Sequence, residues 1–180
     1  MDEDELIARL EELAGPLGPL VSVAGRREEQ DRWADAGGEP LFDALIDLLA
    51  ARPLSSTFAP ELIDDIEVVI VEVLSRIAGS DPDRAQAKLA SLLREGEALG
   101  VAIDVLGAAG GPPAVQLLGA LCRDAQLDEA TRVRLASALG ELGGAEARAA
   151  LGALADSAAS GETALLAEIA IARQLTGDDA

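Results

Sequence analysis

Acidic side chains are the main groups in this sequence whose types and spacing could do chemistry. The 180 residues include 33 Asp and Glu, one cysteine, no histidine and no tyrosine. Pairs of acids occur at Asp43/Asp47, Asp64/Asp65 and Asp178/Asp179. Two carboxylates can bind Mg²⁺ or Ca²⁺, or can serve as a general acid and a general base. Such pairs arise by chance among so many acids, and no EF-hand loop is present, so we predict a solvated face rather than a metal site.

The missing residue types exclude several other kinds of site. Without histidine the chain cannot form a Cys–His nucleophile pair, and with one cysteine it cannot form a cysteine zinc site. The glycine-rich stretches 107–111 and 140–144 lack the GxxxxGK signature of a phosphate loop. We interpret them as helix caps and turns. We therefore predict no catalytic residue, no cofactor and no enzymatic activity.

The overall charge limits the kind of partner that the chain can bind. The formal net charge is −19, and the isoelectric point is near 4.1. Nucleic-acid phosphates repel such a surface, so direct binding to DNA or RNA is not expected. Electrostatic steering favours a basic protein as the partner. The alternative is that the acids serve only to keep the protein soluble.

The sequence contains no recognisable targeting or membrane segment. It starts with the acidic stretch MDEDEL, which lacks the basic and apolar regions of a secretory signal. No apolar run approaches the roughly 20 residues that a membrane helix needs. We therefore expect a cytoplasmic protein that does not bind membranes.

An internal repeat dominates the second half of the chain. Residues 106–121, LGAAGGPPAVQLLGAL, and residues 139–154, LGELGGAEARAALGAL, are 33 positions apart and identical at nine of 16 positions. A fixed period of this length with helical content predicts stacked helix pairs. The same period aligns Cys122 with Ala155, and Cys122 follows Leu118 by one helical turn. A small apolar residue at both places predicts a buried thiol.

Helical periodicity recurs along the chain between breaks at Pro and Gly. We predict helices over 2–14, from Pro40 to Pro53, and over 60–78, 82–95, 97–109, 112–124, 128–142, 145–158 and 162–176. The run IEVVIVEVL in 60–78 is rich in β-branched residues, which favour strands. At about 100° per residue, however, its apolar side chains share one sector of a helix. These are Leu62, Ile63, Ile66, Val69, Ile70, Val73, Leu74 and Ile77. We therefore predict a helix and no strand.

Two valines interrupt the polar side of the 60–78 helix. Val68 and Val71 lie among Glu61, Asp64 and Glu72 in the helical projection. An apolar centre with a polar rim is the general anatomy of a protein interface. The alternative is that the N-terminal segment 15–36 folds back and covers the valines.

The repeat unit resembles a known family. The stretch LGELGGAEARAALGALADS and the closing ARQLTG are similar to HEAT repeats of the short bacterial kind, often called phycobilisome-lyase-type HEAT-like repeats. The resemblance covers 97–177, extends less regularly over 40–96 and is absent from 1–39. It implies an all-α, right-handed α-solenoid of about four helix pairs in 40–180, preceded by a helical N-terminal cap in 1–39.

The resemblance also implies a class of function. Most proteins with such repeats bind partner proteins, although some relatives are chromophore lyases or DNA-alkylation glycosylases, and no catalytic residue of either carries over. The second helices of the pairs usually line the concave face, which would present Asp64, Val68, Glu72 and Asp104. We predict a non-catalytic interaction module or adaptor that binds a partner protein through an acidic face. A narrower hypothesis within this class is an immunity or antitoxin protein that neutralises a basic toxin, and the sequence leaves the choice between this and a general adaptor open. The alternative is an enzyme or chromophore-handling protein that uses carboxylates, which a deep pocket with converging acids would favour.

Overall fold

The described part of the chain is all-helical. The computed structural model of the protein describes residues 2–15, 23–96, 98–124, 126–157 and 161–177. Within these ranges there are nine α-helices and two short 3₁₀ turns, Leu54–Ser56 and Pro60–Leu62, and no strand. The α-helices are α1 (Glu3–Ala14), α2 (Val23–Ala51), α3 (Ile63–Ala78), α4 (Pro82–Glu95), α5 (Leu99–Ala109), α6 (Pro112–Leu121), α7 (Glu129–Leu142), α8 (Gly144–Ser157) and α9 (Gly161–Gly177). The predicted acid pair Asp178/Asp179 lies outside the described residues.

The helices form two compact units, Met1–Val101 and Ala102–Ala180. We call them the first and second unit. The predicted cap, 1–39, ends inside α2, where the backbone at Gly38 is non-helical (φ 48°, ψ −139°). Pro40 then starts the second part of this helix, as predicted, because a proline has no N–H to lose at a helix start.

Helix α3 is the centre of the first unit. The β-branched run forms a helix, as predicted, and six of the eight apolar residues in the predicted sector are buried. These are Ile66, Val69, Ile70, Val73, Leu74 and Ile77. Leu62 and Ile63, at the start of the sector, are half-buried. This face packs against α1, α2 and α4, so the opposite face of α3 is left for solvent or a ligand.

Close contacts between glycine and alanine organise the second unit. A Cβ on Gly107 in α5 would lie 2.8 Å from the Cβ of Ala138 in α7, and a Cβ on Gly140 in α7 would lie 3.1 Å from that of Ala170 in α9. The prediction that both glycine-rich stretches are only caps and turns is therefore wrong for Gly107 and Gly140. The glycines that follow them do form turns with positive φ, namely Gly110, Gly111, Gly143 and Gly144.

Cys122 is buried, as predicted. It caps the C-terminus of α6 and is 2% exposed. Its thiol donates to the Leu118 carbonyl oxygen at 3.3 Å. Burial raises the pKa of the thiol to about 11, because a low-dielectric surrounding disfavours the thiolate.

Candidate functional site

The face of α3 opposite the core, together with Glu61 in the 3₁₀ turn just before α3, carries all but one of the predicted binding residues. Val68 projects directly away from the buried side and is 56% exposed. Val71 and Glu72 are half-buried, and Glu61 and Asp64 are exposed. We call this set, together with the exposed Asp65, the α3 strip: Glu61, Asp64, Asp65, Val68, Val71 and Glu72. The helical period that buries one face of α3 places these residues together on the other.

The acids of the α3 strip form no ion pair among the described residues. Five bases of the first unit form ion pairs there, and all of these pairs involve acids outside the strip. Those pairs are Arg9 with Glu12 and Glu29, Arg52 with Glu3, Arg76 with Asp31 and Asp35, Arg84 with Glu39 and Asp43, and Lys88 with Asp43. The strip therefore keeps its full negative charge.

Arg76, the basic residue of α3, follows Glu72 of the strip by one helical turn, but its side chain is bound to α2. Its Nε and Nη2 donate to the two carboxylate oxygens of Asp35 in α2, each at 3.0 Å. Hydrogen bonding to Asp35, with the charges of Asp35 and Asp31, raises the pKa of the Arg76 guanidinium. The contact ties α2 to α3 and engages the guanidinium with two acids of α2 rather than with the carboxylates of the strip.

Val68 is exposed although the N-terminal segment 15–36 was the alternative cover for the two valines. Its described part, 23–36, belongs to α2 and reaches α3 through the Arg76 ion pairs. With this part in place Val68 is still more than half exposed. The remaining residues of that alternative, 16–22, lie outside the described ranges.

Asp104, the sixth predicted binding residue, has a different setting. It lies on α5 in the second unit, and its side chain is 33% exposed. Its Oδ2 accepts from Nη1 of Arg134 in α7 at 2.6 Å. Its charge is therefore compensated, unlike the charges of the α3 strip.

The grooves of the first unit do not bring free acids together. One groove, of about 280 Å³, contains Glu67 and Arg52, which have opposite charges. A second of the same volume contains Asp2, Glu3 and Asp47. Asp2 accepts from the Glu5 N–H at 2.8 Å, and Glu3 is paired with Arg52. In the described residues no three potential metal ligands form a cluster.

The second unit has an apolar groove that sequence reasoning missed. It lies between α7 and α9 and has a volume of about 430 Å³. Its lining is Val133, Ala136, Ser137, Gly140, Glu141, Leu166, Ile169, Ala170 and Arg173. Beside it, Leu165 is 57% and Ile169 39% exposed. The signal in the sequence was the spacing of these two residues relative to Thr163 and Ala167, both of which are fully buried.

Comparison with known proteins adds no family assignment. No family model matches the chain, and no curated protein matches it significantly. In the described ranges, no helix is both long enough and apolar enough to cross a membrane. The HEAT-like resemblance therefore stays a prediction from sequence.

Proposed function

We propose that this chain is a non-catalytic protein-binding module whose α3 strip engages a basic partner protein. The observation that carries the proposal is Val68, which is 56% exposed on a helix whose opposite face is buried. It lies beside four carboxylates that form no ion pair within the described ranges. A single exposed valine is ordinary. An apolar residue inside an uncompensated acidic rim is the arrangement of a small interface.

The two parts of the strip have different tasks in this proposal. The carboxylates attract a basic protein over a distance of about one Debye length, roughly 8 Å at physiological salt, and so raise the association rate. Val68 and the half-buried Val71 supply the apolar contact that slows dissociation. The partner surface that fits is an apolar side chain ringed by Arg or Lys.

The proposed architecture is a right-handed HEAT-like solenoid with a helical cap. Support comes from the second unit, where α6 packs against α8 and α7 packs against both α8 and α9. Repeat-equivalent Gly107 and Gly140 each meet an alanine of the next helix in this layer. In such an array each repeat contacts chiefly its neighbours, and most of the surface is free for binding.

Within this class, an immunity or antitoxin protein that neutralises a basic toxin fits the small size and the charge of −19. A carboxylate enzyme has less support, because Asp64 and Asp65 lie on an open helix face and Asp43 is held by Arg84 and Lys88. An acidic immunity protein needs no catalytic residue, only a surface that blocks a basic site.

The proposal is tested by isolating the partner from the native host and measuring its affinity with purified components over a salt series. Val68→Asp should lower affinity by about tenfold or more with the fold intact, since an apolar anchor is lost and a charge is placed at the contact. Asp64→Lys should mainly slow association and reduce the salt dependence.

Matched controls separate the strip from the general charge of the protein. Val23→Asp changes a valine that is 73% exposed in the same unit, and Glu11→Lys reverses an exposed acid on α1. Both should bind like the unchanged protein apart from a small uniform effect of net charge. An acidic partner, or equal effects of the strip and control variants, would refute the proposal. If Val68→Asp unfolds the protein, the valine is part of the core.

A further inference from the structure

Helix α9 carries an unusual share of the exposed apolar surface. Five large apolar side chains in the described residues are more than about a third exposed, and three of them, Leu165, Ile169 and Leu175, lie on this helix. Contiguous apolar surface of this kind marks an interaction site. Leu165, Ile169 and the exposed Ala172 follow one another at spacings of four and three, the spacing of a coiled-coil seam. We call these three residues the α9 seam.

A further repeat of the same kind does not fit on the α9 seam. Gly107 in α5 and Gly140 in α7 allow the next helix to approach closely, at Ala138 and Ala170. One period later the equivalent residue is Arg173, which is exposed. A long charged side chain at this position prevents the same close approach. Any chain that packs on the α9 seam must therefore do so with a different contact geometry.

The charges at the two ends of α9 make its outward face complementary to itself. Glu162 lies in the first turn and Arg173 near the end, and neither forms an ion pair within the described residues. In an antiparallel pair of these helices, Leu165 of one copy can lie opposite Ile169 of the other. The same register brings Glu162 of each copy next to Arg173 of the other. The negative end of each helix dipole also meets the positive end of its neighbour.

We propose that a second copy of this chain covers the α9 seam, through an antiparallel contact of α9 with α9 around a two-fold axis. Such an isologous contact uses the same residues twice, so a short seam supplies two Leu–Ile contacts and two ion pairs. The apolar α7–α9 groove borders Ile169 and gives the side chains of the other copy a place to enter.

The low charge of α9 permits self-association of a strongly acidic chain. The sequence of α9 contains Glu162, Glu168 and Arg173, a net charge of −1 in a chain of −19. Two copies that meet at α9 therefore bring few like charges together. The remaining repulsion between two acidic molecules is screened by salt. Dimerisation should strengthen as salt rises, whereas binding of a basic partner at the α3 strip should weaken.

Sedimentation velocity on the full-length protein, over a concentration series at low and high salt, tests the proposal. The unchanged protein should reach a monomer–dimer equilibrium that shifts toward dimer at high salt. Leu165→Asp should raise the dimer dissociation constant by about 100-fold, because each copy loses one apolar anchor worth about a factor of ten. Leu175→Asp is the matched control, since Leu175 is 54% exposed on the same helix but lies outside the proposed register.

A charge swap tests the antiparallel geometry. Glu162→Arg and Arg173→Glu should each weaken the dimer several-fold, and the double variant should restore it. Both single changes also oppose the dipole of α9, so an effect through helix stability would add in the double variant rather than cancel. Thermal unfolding followed by circular dichroism measures that effect.

The proposal is overturned by a protein that stays monomeric at all concentrations and both salt levels. A dimer that is insensitive to Leu165→Asp, or as sensitive to Leu175→Asp, overturns it too, as does a double charge variant without recovery. None of these results bears on the α3 strip, because partner binding is tested with variants of a different helix. Partner binding is also expected to weaken with salt, whereas dimerisation is expected to strengthen.

Discussion

The two units build helical layers from the same amino acids in different ways. Met1–Val101 contains 22 acidic and nine basic residues, a net charge of −13, whereas Ala102–Ala180 contains 11 and five, a net charge of −6. Alanine supplies six of the 16 buried apolar residues described in the second unit and four of the 24 in the first. The first unit therefore combines large side chains with interhelical ion pairs, and the second brings its backbones close together.

This difference determines which surfaces are free to bind. In the first unit the large core of α3 takes up one face, and the bases are used between helices, so a charged strip remains on the other face. In the second unit Gly107 and Gly140 allow α5, α7 and α9 to pack closely one after another. Arg173, the equivalent residue in α9, does not allow a further helix to pack in this way. What remains there is an apolar seam. One fold thus offers two surfaces of opposite chemistry.

The largest effect expected from the comparison is in the core of the first unit. Ile70 is 0% exposed, and Ile70→Ala should lower the free energy of unfolding by about 2–5 kcal/mol through lost transfer energy and a cavity. Val68→Ala, two residues away on the exposed face, should change it by less than about 0.5 kcal/mol. Urea unfolding of both variants checks this. Similar losses from both would mean that the proposed binding face is part of the core.

The next effect concerns the close contacts of the second unit. Gly107→Val should cost about 1–3 kcal/mol, because a Cβ there meets both the Cβ and the Cα of Ala138, and overpacking forces a backbone shift. Gly152→Ala in α8 is the control. A Cβ at that position meets nothing within 4 Å, and alanine should stabilise the helix by up to about 1 kcal/mol. Thermal unfolding measures the melting temperatures of both variants. If both temperatures shift in the same direction, Gly107 is not a close contact of the kind that we infer for the second unit.

Local sequence signals were enough to predict most of the helices, although not the bounds of the first part of α2, which begins at Val23. Proline at the first helical position and glycine or aspartate at the ends gave α4, 82–95, with the bounds that the structure has. The sector pattern identified α3 despite its β-branched residues. Both signals depend only on neighbours within a few turns, so they can be read without knowing the tertiary structure.

Features that depend on distant residues were not predictable in the same way. Glycine both ends helices and permits close helix contacts, and only Ala138 and Ala170 tell which role Gly107 and Gly140 have. Asp104 was predicted as a free binding acid, yet Arg134, 30 positions later, compensates its charge. The α9 seam was missed because exposure depends on where α7 and α8 pack, which periodicity alone does not state.

The smallest effect expected concerns the ion pairs between helices of the first unit. Arg84 in α4 lies 2.7 Å from Asp43 in α2, and both side chains are about one-third exposed. Arg84→Met keeps the aliphatic stem and should cost about 1 kcal/mol or less, since solvent screens pairs of this exposure. Lys88, 3.4 Å from Asp43, limits the loss further by keeping one counter-charge in place. Arg94→Met is the control, because Arg94 is exposed and its Nε donates to the Ala90 carbonyl oxygen of its own helix. Urea unfolding at low and high salt should show a loss for Arg84→Met that shrinks with salt, and none for Arg94→Met. A loss that does not depend on salt would mean that Arg84 stabilises the first unit by packing and not by its ion pair with Asp43.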